Sequence, residues 1–501
     1  MPLFRGIMIH PDAPVYLWSA QALAAGNVHG ATAEFPMIFY PFLIMLVHKL
    51  GIDWLLAGRL VSVAASCFAL LPFIAIAKRF STGWPLVVVT LLFILLPEYN
   101  SIAFAVLRDP LYLSLTLCCL YYAFRFLEEK SLKAFFLAIG FSFLLPLLRI
   151  EGLVTLLIVN AWCCVLLLKS AEEWGKNIVG FLSIVAAVVL CSLFFSNTLS
   201  SMIRLDSFTY FYGKLSSMQL SVHSCLSALD DIYQTLPAAT NGSNFWQVIQ
   251  RHWPWIYFVG VLYVFVKILG WPVLVVSFIG VLNIFKQKDY QKIFLLSVFF
   301  GQTLLLILFY LFKGFLEVRY MLLPAIILLF FALFSFETVF EFFYEKLGRY
   351  FVVKRKYFLI VFSCFLVLPF AYDTLFYKYR THIPILEEAC RWITSELFKD
   401  EGQKWFVNGN ARRIAWFLDH QDMPQSAERI DSDHIEEKFS TSVSSPALFV
   451  LLLNKRVPQD VELVGTLSKK YPLTSKVFVE SEKDKHIVIA VWNEVSEKSG
   501  M

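Results

Sequence analysis

The chain has 501 residues, of which 58% are hydrophobic and only 16% charged, with a net charge of +5 and a mean hydropathy of +0.65. Soluble domains carry about 25% charged residues, so the composition excludes an ordinary soluble enzyme and predicts a polytopic α-helical membrane protein rich in lipid-facing Phe and interfacial Trp. The modest positive charge, with no Lys/Arg patch interleaved with aromatics, excludes a nucleic-acid partner and reads as membrane-orienting.

In chain order, residues 1–11 are too short for a signal peptide or a span. The stretch from His10 to Asn27 then places Asp12 just ahead of an amphipathic segment. Residues 36–50 are apolar but carry Pro36 and Pro41, which suits an interfacial or re-entrant helix. Spans are predicted at 55–77, 84–97, 103–127, 133–148, 152–168 and 178–196. A polar stretch, 197–253, follows. Residues 255–285 are interrupted by Gly270, Trp271 and Pro272 and read as one crossing with an extension. Further spans are predicted at 293–312, 320–341 and 357–377, for a total of about ten.

Alternate short connections differ in basic content. One set holds fifteen Lys and Arg, including Lys78, Arg79, Arg125, Lys130, Lys286, Lys292, Lys346 and Lys354–Lys356, and the opposite set holds six. The richer set is expected in the cytoplasm. That orientation puts residues 1–54, the 197–253 loop and everything after 378 outside the cell membrane. From about 379 the pattern changes. ILEEACRWITSELF (385–398) has a helical period, and 404–409, 447–453, 476–481 and 486–492 read as strands, with EKDK (482–485) as a hairpin turn. The expected organisation is a transmembrane domain, 1–378, and an extracytoplasmic α/β domain, 379–501. The latter has no P-loop, GxGxxG or GxSxG motif.

Nine cysteines are present, seven of them inside apolar runs, where they read as small packing residues. Cys225 and Cys390 fall in polar stretches, and their pairing is open. The histidines His10, His29 and His48 lack the spacing of a metal site.

Chemistry is expected where charge meets the ends of apolar runs: Asp12, Arg59, LRDP (107–110), LLRIEG (147–152) and LEVRYMLLP (316–324). Taken singly, these arginines read as well as side chains snorkelling to headgroups. Together on one side of the bilayer, they offer forked donors for a phosphate and carboxylates for base catalysis.

These stretches also resemble a family. Asp12, Tyr16 and AQALAAGN look like the first extracytoplasmic loop of GT-C glycosyltransferases, in the branch of protein O-mannosyltransferases and bacterial aminoarabinose-transferase-like enzymes. YPFLIMLVHKLGIDWLLAGRLVSVAAS (40–66), LLPEYNSIAFAVLRDPLYLSLTL (95–117), FLLPLLRIEGLVTLL (143–157) and EVRYMLLPAIILL (317–329) are similar to later segments of that family. The resemblance covers roughly residues 10–170 and 313–340. Members often have two adjacent acids in the first loop, whereas here Asp12 precedes Ala13. They also have a transmembrane helix ahead of that loop, so the resemblance implies that one is either encoded upstream of Met1 or missing.

The resemblance implies transfer of a sugar from a polyprenyl-phosphate (dolichyl-phosphate-like) carrier to a glycan, lipid or protein acceptor outside the cell membrane. Asp12 would be the general base and Asp109 an assistant. Arg59, Arg149 and Arg319 would hold the phosphate. Tyr16, Arg108 and Tyr320 would line the pocket, with Glu151 and Glu317 as partners of the arginines. No cofactor is called for, and dependence on a divalent metal stays open. Two other classes compete. A flippase for lipid-linked sugars would show repeated halves and midplane charges, and an inactive scaffold would fit the single acid at Asp12.

The orientation is tested with reporter fusions placed after residue 400. An exported reporter should be active there and a cytoplasmic one silent; the opposite result reverses the topology.

Overall fold

The computed structural model describes residue 10, residues 12–32, 37–169, 243–287, 289–313, 316–348 and 354–376, and five strands between 404 and 493. The expected span at 178–196, the 197–253 loop up to residue 242, the helix at 385–398 and the Cys225–Cys390 pair lie outside the described residues. The chain forms two compact units, Leu17–Tyr377, and Met1–Tyr16 together with Lys378–Met501.

In the larger unit, helix boundaries follow glycine and proline. Helix α1 (Ala13–Ala24) ends at Gly26, whose φ of 74° closes the turn. After the short α2 (Val28–Thr32) and α3 (Phe39–His48), Asp53 caps α4 (Trp54–Phe80) by accepting from the N–H groups of Leu55 (2.9 Å) and Leu56 (3.3 Å). Helix α5 (Trp84–Ile94) and helix α6 (Pro97–Ala103) form one segment bent by 50°. Pro97 lacks an N–H and forces Leu96 out of the helical region, so the expected straight span over 84–97 breaks there.

Helix α7 (Asp109–Glu129) starts six residues later than the predicted span, because Pro110 fits only the first helical turn. Helix α8 (Leu132–Leu144) stops short of the expected residue 148, ahead of Pro146. The connection to α9 (Gly152–Lys169) is tight. A Cβ on Gly152 would lie 2.5 Å from the Leu145 carbonyl carbon, so only glycine fits.

Helix α10 (Ser243–Gln287) contains one stretch, Phe258–Phe285, long and apolar enough to cross a bilayer, with a non-helical break at Gly270 (φ 66°, ψ 157°). Helix α11 (Tyr290–Lys313) returns to a 3-10 turn, Val318–Met321, which leads into α12 (Leu322–Leu333). The predicted span over 320–341 bends by 59° before α13 (Phe336–Phe343). There the Ser335 hydroxyl donates to the Val276 carbonyl of α10 (2.5 Å). Helix α14 (Arg355–Phe376) follows.

Among the described residues, five helices are long and apolar enough to cross a bilayer, or seven segments if each bent pair is one crossing. The short α8 and α9 and the span at 178–196 are what separate this number from ten.

Two elements form the centre. Helix α7 is buried without interruption from Asp109 to Leu120, and every residue of α12 is buried. Backbones approach closely where Gly280 of α10 meets the Phe331 carbonyl, which a Cβ would strike.

Polar groups gather at the two ends of α7, about 30 Å apart. At one end Arg79 pairs with Glu128, Arg125 with Glu129 (2.7 Å), and Gln291 donates to Glu128 (3.0 Å). Helix α14 runs parallel to α5, since Trp84 donates to Ser363 and Thr374 to the Leu95 carbonyl, both at 2.6 Å. Its basic start therefore joins the same end. Among the described residues, the connections expected to be richest in Lys and Arg thus share one end of the bundle, and Asp109 marks the other.

In the smaller unit, strands β1 (Lys404–Asn408), β2 (Glu428–Ile430), β3 (Ala447–Asn454), β4 (Val477–Glu482) and β5 (Lys485–Asn493) form one sheet in the order β2-β1-β3-β5-β4. Strand β1 is parallel to β2 and β3. Strands β4 and β5 pair antiparallel with Glu482 opposite Lys485, the expected hairpin.

Candidate functional site

The Asp109 end of α7 holds a buried ionic cluster. Pro110 starts α7 so that Asp109 stands in its first turn, and the tight α8–α9 connection brings Arg149 and Glu151 to meet it. The Arg149 guanidinium donates through Nε and Nη2 to the two Glu151 oxygens (3.2 and 2.8 Å) and through Nη1 to Asp109 Oδ1. The side chains of Arg149 and Asp109 are almost wholly buried. The guanidinium also faces the rings of Tyr320 (4.7 Å) and Tyr112 (5.7 Å).

Gln302, inside α11, donates to the Glu151 carbonyl (3.0 Å) and to Thr155 Oγ1 (2.7 Å), tying α9 to α11. The 3-10 turn brings Arg319 over the Tyr320 ring (5.2 Å) and into an ion pair with Glu317. Burial opposes the Glu151 charge, but Arg149 outweighs it through attraction and hydrogen bonding, and the carboxyl is held down at about 2.

The structure therefore brings together Asp109, Arg149, Glu151, Arg319 and Tyr320, five residues marked in the sequence, and adds Tyr112 and Gln302. The cavity among them is only about 10 Å³, room for about one water molecule. Arg108, at the N-cap of α7, donates to Met37 Sδ (2.9 Å). Arg59 is buried in the first turns of α4 and does not line this cavity. Among the described residues no group of His, Cys, Asp and Glu is arranged to hold a metal ion.

Asp12 and Tyr16 belong to the smaller unit. Asp12 stands directly ahead of α1 with its side chain 41% exposed. Its N–H donates to His10 Nδ1 (3.2 Å), and the carboxylate lies 3.6 Å from the same nitrogen. Tyr16 is buried. Sequence reasoning missed Gln302, although an amide inside the apolar run of α11 is itself a signal, because polar groups at bilayer depth are costly unless they are used.

The cluster separates its arginines by cost. Arg149 directs Nε, Nη1 and Nη2 at buried carboxylates, so a phosphate reaches it only by displacing them. Arg319, itself 13% exposed, pairs with Glu317, whose side chain is 44% exposed, so one member of this pair is open to solvent.

No protein-family model matches the sequence, and no curated protein matches it. Solved structures do. The crystal structure of ArnT from Cupriavidus metallidurans in the apo state aligns with a TM-score of 0.51 at 11% identity, over 96% of this chain and 94% of that one. The structure of ArnT from the same organism bound to undecaprenyl phosphate aligns with a TM-score of 0.55 at 11% identity, over the same shares. The chain thus has the ArnT fold, the fold that a resemblance to GT-C glycosyltransferases calls for.

Removing one partner of a buried ion pair leaves the other uncompensated, at a cost of about 3–5 kcal/mol. Arg149→Met should therefore lower the thermal unfolding midpoint in detergent strongly. Arg149→Lys should fall between, because one ammonium cannot bridge Asp109 and both oxygens of Glu151. Neutralising the carboxylates as well, with Asp109→Asn and Glu151→Gln in the Arg149→Met protein, should recover part of the loss. Unchanged melting of Arg149→Met would show the cluster to be dispensable for the fold.

Proposed function

We propose that this chain is a GT-C-type membrane glycosyltransferase that moves a sugar from a polyprenyl-phosphate donor to an acceptor on the extracytoplasmic side. The observation that carries the reading is the cluster of Asp109, Arg149, Glu151 and Arg319 at one end of α7, in a chain with the ArnT fold. One ArnT structure with that fold is bound to undecaprenyl phosphate, a carrier of the required class. The absence of an internal repeat in the sequence argues against a flippase. The sheet-bearing unit after residue 378 is proposed to be an α/β domain outside the membrane, and the basic end of the bundle to face the cytoplasm.

In the proposed reaction an acceptor hydroxyl oxygen attacks the anomeric carbon of the sugar. The bond from that carbon to the phosphate oxygen breaks, and the polyprenyl phosphate leaves with the electron pair. The acceptor proton passes to a carboxylate base. Asp12 is proposed for that role because its side chain is 41% exposed directly ahead of α1, at the head of the loop that resembles the family's acidic first loop, with the His10 imidazole 3.6 Å away. Asp109, Glu151 and Glu317 are each already engaged by an arginine. Arg319, with Arg59 and Arg108 as further cations, would neutralise the leaving phosphate. Arg149 holds Asp109 and Glu151 in place.

Asp12→Asn should leave the protein folded and membrane-inserted, keep donor binding, and lower transfer by at least about a hundredfold. Transfer at near wild-type rate by purified Asp12→Asn protein would move the base to Asp109.

Donor affinity tests the phosphate assignment separately. Arg319→Ala should weaken binding of polyprenyl phosphate more than Arg319→Lys, since lysine keeps the charge but loses the fork. Equal affinity in wild type and Arg319→Ala would return this arginine to a snorkelling role.

A further inference from the structure

A second concave surface lies away from the ionic cluster. Helices α10, α13 and α14 enclose an apolar groove of about 920 Å³, within or near the range of roughly 300–1,000 Å³ typical of small-molecule sites. Its shape comes from two backbone irregularities. The break at Gly270 puts Trp271 and Pro272 at the inner end, and the 59° bend ahead of α13 swings that helix away from α12. Helix α14 closes the other wall with Phe358, Phe362 and Phe365.

The two walls continue into cations. Lys354 precedes Phe358 by one turn, on the stripe of α14 that lines the groove. Lys346 lies in the π-helical turn Tyr344–Gly348 that continues α13, next to Leu347, which lines the groove. Lys356 is adjacent, and all three lysines are exposed. Among the described residues none of the three makes an ion pair. The nearby acids are Glu341, which Arg355 holds, and the exposed Glu337 and Glu345. The groove is apolar throughout, and Lys346 and Lys354 stand just beyond its lining residues at the basic end of the bundle, the end that the Lys/Arg bias assigns to the cytoplasmic leaflet.

We infer that this groove is a binding site for an anionic diacyl phospholipid of the cytoplasmic leaflet. One acyl chain lies along Val275, Val361 and Phe365, and the headgroup phosphate is held by Lys346, Lys354 and Lys356. An apolar recess at bilayer depth is filled by hydrocarbon rather than water. What makes this one selective is the charge at its mouth, since basic pockets between helices on the cytoplasmic side take anionic headgroups. The inference does not rest on the reaction proposed above.

Native mass spectrometry of the full chain in mild detergent tests it, with phosphatidylglycerol and phosphatidylcholine offered as competing probes. Wild type should retain one phosphatidylglycerol per chain in preference to phosphatidylcholine. The exposed triple variant Lys346→Ala, Lys354→Ala, Lys356→Ala should lower that retention at least tenfold with unchanged melting. Val361→Trp, which fills the groove and leaves the lysines intact, should lower it similarly. Equal retention of the two lipids by wild type, unchanged retention in the melting-competent variants, or preferential retention of a polyprenyl phosphate over phosphatidylglycerol would each overturn the site.

Discussion

A guanidinium buried in an apolar bundle is tolerable only with its charge answered on the spot, and Arg149 meets that condition with two carboxylates from different parts of the chain. Asp109 comes from the start of α7 and Glu151 from the α8–α9 connection. Glu151 is in turn fastened to α11 through its carbonyl and Gln302. One side chain thereby sets the relative position of three helices and of the turn that presents Tyr320. Exchanging that polar junction for well-packed apolar residues could match its stability, so its value lies in the arrangement it enforces.

The rest of the larger unit is arranged around that junction by simple backbone chemistry. Pro110 lets α7 begin at Asp109, and Pro97 breaks the segment before it. Gly152 permits a connection so close that any side chain would collide with Leu145. The uninterrupted burial of the first half of α7 and of all of α12 gives these turns a stiff support. At the opposite end, Arg79, Glu128 and Gln291 tie α4, α7 and α11 together, so α7 is pinned at both termini.

Much of this was legible in the sequence. A charged residue at a junction of apolar runs is rare enough to be noticed, which is why Asp109, Arg149, Glu151 and Arg319 stand out in the sequence, whereas Tyr320 is marked only by the family resemblance. The ion pairs expected for Glu151 and Glu317 follow from their spacing of two residues from an arginine. Span lengths were less legible, because hydropathy averages across Pro97, Pro110 and Pro146, whereas the backbone does not. The bend at Ser335 was hidden for another reason: its cause is a hydrogen bond to Val276, on a distant helix. The engagement of Arg149 by two carboxylates is likewise tertiary. Sequence shows that an arginine is present but not how many of its donors are already engaged.

The half-exposed pairing of Glu317 with Arg319 has a consequence for turnover. Under the proposed reaction the site works as an ion exchanger with its own resident counterion. An arriving phosphate takes Arg319 and sets Glu317 loose at the rim, where its charge repels a second anionic carrier. Once the sugar has gone, Glu317 competes for Arg319 again, at high local concentration because it is two residues away on the same chain. Under that reaction a neutral polyprenol would have no charge with which to displace Glu317 from Arg319.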